Sequence, residues 1–229
     1  LVAALRERWQ QGLPPFTVLC CDNLPSNGQT VRKVVVRLAE RVDPALGKHV
    51  AAEVAFPSTM VDRIVPATTD ADRERVAKAT GLDDTWPVVT EVYNNWVVED
   101  RFPQGRPAWS ATFVSDIVPF ELMKLRLLNG AHSSMSYLGY LAGRETIADC
   151  MADPDLAHFV AHLMNDEVTS TLKVPPGADI AAYKTALLRR FRKEDALPTL
   201  HPLVDLCNAV SLAHALPVAV IDLEQVVGF

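Results

Sequence analysis

The chain's first apolar run, "FTVLCCDN", lies between prolines and a loop rich in Asn, Pro and Gly. That bracketing predicts a buried strand over Phe16 to Cys21, ending in the loop "DNLPSNG". The loop feeds a helix. From Thr30 to Val42 the apolar residues Val31, Val34, Val35, Leu38 and Val42 recur at helical spacing, with arginines opposite. Phe56 to Val65 and Val88 to Val98 read as extended or mixed, and "DRERVAKATG" between them predicts a short amphipathic helix closed by Gly81. Beyond Pro119 the pattern becomes strongly helical, predicting helices over roughly 119–142, 145–151, 155–172 and 179–192.

The order of elements gives an α/β chain: strand and loop first, then a mostly helical domain. Its 229 residues are enough to bury a sizeable core, and 49% hydrophobic with 22% charged residues is ordinary globular composition. A formal net charge of -6 leaves no basic footprint for nucleic acid. No apolar run approaches the roughly 18 residues of a membrane span, so a membrane is not an expected partner. Cys20, Cys21, Cys150 and Cys207 include no C-x-x-C pair, which fits a reducing, cytoplasmic location. There is no internal repeat or low-complexity tract.

One helix changes this bland picture. In "ELMKLRLLNGAHSSM", residues 121–135, a glutamate, a lysine, an asparagine and a histidine interrupt a greasy stretch. At about 100° per residue, with Lys124 at zero, Glu121 falls at about 60°, His132 at about 80° and Asn129 at about 140°. All four share one arc, while Met123, Leu125, Leu127, Leu128, Ala131 and Met135 spread around the wheel, as in a helix buried on most sides. Buried polar groups need partners, and a desolvated lysine tends to lose its proton. Core residues satisfied by loop carbonyls would explain the arc. So would a site for a proton and a developing oxyanion: Lys124 as base for a hydroxyl proton, Asn129 donating to the oxygen, His132 orienting the hydroxyl and Glu121 linking the lysine to water.

The segments "KLRLLNGAHS", "CDNLPSNG", "FPSTMVDRI" and "DEVTSTLKVPPG", in that setting, resemble the mannitol dehydrogenase family of long-chain polyol and hexuronate dehydrogenases over residues 1–192. The resemblance implies NAD-dependent hydride transfer to or from a small sugar acid or polyol. The family's Lys-x4-Asn-x2-His motif falls on Lys124, Asn129 and His132, with the lysine as general base and Asn129 in the oxyanion site. The asparagine of "CDN" falls on Asn23, a second donor to the same oxygen, and the aspartate of "MVDRI" on Asp62, near cofactor and substrate. Glu121 becomes a proton-relay position. Without the resemblance, Asn23 is a turn former after a strand and Asp62 a partner for Arg63 or a nearby cap. The wording of "CDNLPSNG" leans towards the hexuronate reductases, implying reduction of D-fructuronate by NADH to D-mannonate.

Departures from the family shape further expectations. None of the ten glycines forms G-x-G or a P-loop, so no known pyrophosphate cradle is present. Residues 1–28 then read as the C-terminal remnant of a dinucleotide-binding domain, its last strand being "FTVLCCDN", and residues 29–192 as a mostly helical catalytic domain. On that reading the chain is incomplete and inactive alone. From residue 193 the texture changes to a tail with five acidic residues and one lysine. Its "HPLVDLCNAVSLAHALPVAVIDL" resembles the editing-type domain of the phenylalanyl-tRNA synthetase beta subunit, which raises the alternative of a noncatalytic module that binds tRNA or a synthetase-like partner. His158, His162 and Asp166 share a helix face at metal-ligand spacing, but chance pairs of histidines four apart are common; the face reads as solvated and no metal is expected. Trp96 reads as core.

Overall fold

The computed structural model describes residues 1–193. The chain folds as two compact units, one over Leu1–Leu122 and a second from Met123 onward.

In the first unit, helices α1 (Val2–Gln10), α2 (Asn27–Val42) and α3 (Pro44–Glu53) pack around Leu5, Val35, Ala39, Leu46, Val50 and Phe56. Asp43 separates α2 from α3 and starts the latter: its carboxylate accepts the Ala45 N–H at 2.8 Å, and Pro44 occupies the first helical position, where a missing N–H costs nothing. The stripe expected on α2 divides in two. Val35 and Ala39 are buried and Val31 packs against them, whereas Val34, Leu38 and Val42 lie exposed at 64, 51 and 48%. Residues 31, 35 and 39 follow one i, i+4 row. The small Ala39, at 0% exposure, lets α3 approach along that row, which leaves the neighbouring row outside.

Three strands form a mixed sheet in the order β1 (Thr59–Asp62), β2 (Asn95–Glu99), β3 (Thr112–Val114). β1 and β2 are antiparallel, with Val61 opposite Trp96 and Asp62 opposite Asn95; β2 and β3 are parallel, with Val98 opposite Phe113. Val97 and Val98 are buried almost completely. The expected strand at Phe16 to Cys21 instead has no regular secondary structure and lies outside this sheet. Its Val18 N–H donates to Ala55 O at 3.0 Å and its Cys20 carbonyl accepts from the Thr59 hydroxyl at 2.7 Å, two isolated bonds rather than a ladder. Helix α4 (Asp70–Thr80) ends at Gly81, whose φ of 71° is the left-handed cap expected from its sequence. It buries no residue, so its apolar positions do not make the amphipathic face that was expected.

Helix α5 (Val118–Lys124) straddles the division between the units and continues through a π-helical turn (Leu125–Asn129) into α6 (Gly130–Leu141). The second unit adds α7 (Ile147–Ala152), α8 (Pro154–His162), a second π-turn (Leu163–Val168), a 3₁₀ turn (Thr169–Thr171) and α9 (Ile180–Phe191). The last three helices each start on a cap: Thr146 and Asp149 form a reciprocal capping box on α7, Asp153 caps α8 ahead of Pro154, and Asp179 caps α9. Leu127, Ala131, Met135, Ile147, Cys150, Met164, Leu187 and Phe191 make the core. α6 and α7 meet closely at Gly139, where a Cβ would fall 2.3 Å from Cys150 Sγ.

Candidate functional site

In the first unit, the site residues hang on the loop that precedes α2. Asn23 is exposed there, its backbone N–H donating to Asp22 Oδ1 at 2.9 Å. The loop's exit is held by Asn27, fully buried. Its Nδ2 donates to Asp22 O at 2.9 Å and to Thr59 O and Thr59 Oγ1 at 3.0 Å each, while its Oδ1 accepts the Thr59 N–H at 2.9 Å. Gly28 follows because nothing larger fits: a Cβ there would stand 2.6 Å from both Phe56 O and Pro57 O. From Thr59 in this clasp, β1 leads to Asp62 at its far end, which is fully buried.

Glu121 reaches the same loop from α5. Its Oε2 accepts the N–H of Ser26 at 3.4 Å, and Ser26 itself holds the left-handed φ of 46° that ordinarily favours glycine. Glu121 Oε1 is buried without a hydrogen-bond partner. Burial raises the Glu121 pKa above the usual glutamate range; the nearby carboxylates of Glu99 and Asp116 push the same way, and only the Ser26 N–H opposes them.

In the second unit, Lys124, Asn129 and His132 follow one another along a continuous helical rod. Lys124 is 8% exposed, and Asn129 and His132 are half-buried. The π-turn revises the wheel. The Gly130 N–H donates to Leu125 O, five residues back, so the turn holds one residue more than an α-turn. The constant step of about 100° per residue therefore does not hold across Leu125–Asn129, the stretch between Lys124 and His132. The His132 ring packs at 4.8 Å on Phe191 of α9.

Asn23 lies in the 22–27 loop and Glu121 reaches that loop at Ser26, Asp62 stands at the far end of β1, and Lys124, Asn129 and His132 follow one another along one helical stretch. Asn27 and Thr59 were missed in the sequence; an Asn before Gly at a helix start looks like ordinary turn chemistry. The only available signal was the pairing of a polar "ST" with "SNG" across a long separation, which periodicity does not register. Trp96 is half-buried, stacked on Trp109 at 5.2 Å. His162 Nδ1 lies 2.8 Å from Asp166 Oδ2 on an exposed surface. Among the described residues, no three His, Cys, Asp or Glu side chains are grouped to hold a metal. None of the described helices is long and apolar enough to cross a membrane.

Comparison with known families decides what these residues belong to. The mannitol dehydrogenase Rossmann-domain model matches residues 1–111, and the mannitol dehydrogenase C-terminal-domain model matches residues 116–199. The chain belongs to the mannitol dehydrogenase family. D-mannonate oxidoreductase of Escherichia coli (strain K12) is 46% identical over 194 residues, covering 83% of this chain and 40% of that protein. Among solved structures, Pseudomonas fluorescens mannitol 2-dehydrogenase, in a ternary complex with NAD and D-mannitol, is 42% identical with a TM-score of 0.72, over 85% of this chain and 40% of that one. A substrate-free D-sorbitol dehydrogenase is 34% identical with a TM-score of 0.82, over 94% of this chain and 45% of that one. The chain thus spans about 40% of the length of the relatives it matches.

These matches bear out the α/β class: the fold is that of Rossmann-type dehydrogenases. They also place sequence of mannitol dehydrogenase type further along the chain than its texture suggested. The Rossmann-domain match extends to residue 111, where the pattern assigned residues 1–28 to such a domain. The C-terminal match extends to residue 199, past the expected change of origin at 192. No phenylalanyl-tRNA synthetase-like segment is supported, and with it the binding-module alternative loses its basis. The likeness of "HPLVDLCNAVSLAHALPVAVIDL", a run of only 23 residues, was too weak a signal. It lies in the stretch from residue 194, outside the described residues.

Proposed function

We propose that this mannitol dehydrogenase family member takes part in NAD-dependent hydride transfer at a secondary carbinol of a hexuronate or polyol, with D-fructuronate and D-mannonate as the favoured pair. The observation that carries this reading is Lys124, buried to 8% exposure on the helical stretch that also carries Asn129 and His132, with a π-turn between. In this reading Lys124 accepts the hydroxyl proton as the carbinol becomes a carbonyl, and Asn129 and Asn23 donate their amide N–H groups to the oxygen as its charge develops. His132, braced by Phe191, orients the hydroxyl. Glu121, whose pKa burial raises above the usual glutamate range, serves as the relay to water.

NAD, when bound, supplies the hydride acceptor. Of the residues present, Asn23 and the buried Asp62 suit its nicotinamide end, since they offer an amide and a carboxylate beside the loop and β1. The ten glycines contain no G-x-G spacing, so the pyrophosphate is assigned to none of them. The lean towards a sugar acid rests on the wording of "CDNLPSNG" and on the 46% identity to D-mannonate oxidoreductase. A reducing, cytoplasmic setting agrees with Cys20, Cys21 and Cys150 being unpaired thiols.

The test is NADH oxidation followed by absorbance with D-fructuronate, D-fructose and D-sorbose as acceptors. It is run on the chain itself and on E. coli D-mannonate oxidoreductase in which this chain replaces the matched 194 residues. D-fructuronate is expected to give the highest kcat/KM, and Lys124→Met to lower kcat at least a hundredfold. A preference for the neutral ketoses would sink the hexuronate assignment, and an undiminished Lys124→Met would sink the role of the lysine.

A further inference from the structure

Asn27 belongs to no part of the chemistry above, yet both ends of its side-chain amide are hydrogen-bonded. It has 0% exposure, two amide hydrogens serving three oxygens, and its own oxygen filled by the Thr59 N–H. A buried network with every member satisfied fixes one arrangement of backbone, because any alternative strands a polar group out of water. What this one fixes is specific. One end is Asp22 O, the carbonyl immediately before Asn23; the other is Thr59 at the start of β1, the strand that ends in Asp62. Thr59 extends the tie by donating its hydroxyl to Cys20 O at 2.7 Å, so both sides of Cys21–Asp22 are pinned to the same residue or its partner.

Gly28 completes the clasp by admitting the carbonyls of Phe56 and Pro57, which any side chain would displace. Asn23, by contrast, is exposed and flanked by residues outside regular structure. We infer that Asn27 is a positioning residue: through Thr59 it holds the Asn23 loop in register with β1, and so sets where the Asn23 amide points relative to Asp62. This rests on the reading of Asn23 as a donor to the substrate oxygen, but the clasp can be tested without it.

The first measurement is hydrogen exchange of the 22–24 amides in the chain itself. Asn27→Asp is the sharp variant: it keeps shape and the acceptor for the Thr59 N–H, but it sets a carboxylate oxygen against Asp22 O and Thr59 O. Exchange at 22–24 is expected to rise at least tenfold in Asn27→Asp and in Thr59→Val, and to stay within about twofold in Thr59→Ser, which retains the hydroxyl. Unchanged exchange in Asn27→Asp overturns the inference, as does equal loosening in Thr59→Ser.

The second measurement is kcat and KM for D-fructuronate reduction in the oxidoreductase carrying this chain, for Asn27→Asp, Asn23→Ala and the pair. A residue acting through Asn23 lowers kcat about tenfold alone and adds no further loss once Asn23 is alanine. Multiplying losses overturn the inference. If Asn23→Ala leaves kcat unchanged while loop exchange still responds to Asn27→Asp, the clasp stands and the role of Asn23 in the reaction is what fails.

Discussion

Glu121 is a carboxyl held under unfavourable terms. One oxygen is buried with no partner, the other has a single long bond from Ser26, and Glu99 and Asp116 add negative potential. Its pKa in the folded chain therefore lies above its unfolded value, and the folded chain is the better proton binder between the two. Stability contributed by this residue is present in acid and is lost as pH rises from the ordinary glutamate range through the raised folded value. Glu121→Gln keeps an acceptor for Ser26 and cannot ionise. Its melting temperature is expected to match that of the unaltered chain near pH 4 and to exceed it increasingly as pH rises from there through the raised folded value. Thermal melts across that range check the point, and two curves of constant separation would show that the burial of Glu121 carries no cost. Gly28 gives a prediction of opposite sign to common expectation. Alanine favours a helix over glycine by about 1 kcal/mol, yet the two carbonyls at 2.6 Å should make Gly28→Ala destabilising by about 1–3 kcal/mol in urea titrations.

At the scale of elements, α4 is the outlier. It buries nothing and is held by the reciprocal Thr69 and Asp72 capping box, by Gly81, by surface ion pairs of Arg73 with Asp70 and Arg75 with Asp72, and by a bond from Arg73 to Thr85 O. An isolated eleven-residue helix is marginal in water, so its amides are expected to exchange earliest among the described helices. Thr69→Ala, which removes the cap, should speed them a further fivefold or so, equivalent to about 1 kcal/mol. Exchange no faster than in α2 would mean that α4 has support beyond its caps and surface contacts.

The same element shows what the sequence could convey. Its extent and its glycine stop were legible because they are written in adjacent residues, and the four later helices were legible from their period. The outward half of the α2 stripe was not, because a helical period reports that apolar residues share a side and does not report which row a neighbour will cover. The strand at Phe16 failed for a related reason: an apolar run between turn formers specifies extended chain, whereas a ladder needs a partner elsewhere. The π-turn was invisible too. Lys124, Asn129 and His132 were proposed from their types and spacing, and a wheel drawn at constant angle takes no account of the π-turn over Leu125–Asn129.

At the scale of the whole molecule, the described residues form two cores with no shared members, one around Leu46 and Phe56 and the other around Leu127 and Leu187. The Rossmann-domain match covers residues 1–111 and the C-terminal-domain match residues 116–199, so each core falls within one match. Each core can be perturbed separately. Leu46 and Leu187 are both at 0% exposure, so Leu46→Ala and Leu187→Ala should each cost about 2–5 kcal/mol, the range for opening a cavity at a buried leucine. Because the two leucines share no neighbours in either cluster, the costs should add in the double variant, and each alone should raise amide exchange in its own unit. Leu46→Ala is expected to loosen α2 and α3 while α6 to α9 keep their protection; Leu187→Ala should do the reverse. If Leu46→Ala instead raises exchange equally along α6 to α9, the two bodies fold as one cooperative unit. Variants made to probe Lys124 and Asn129 would then have to be judged against the stability of residues 1–122 as well as their own.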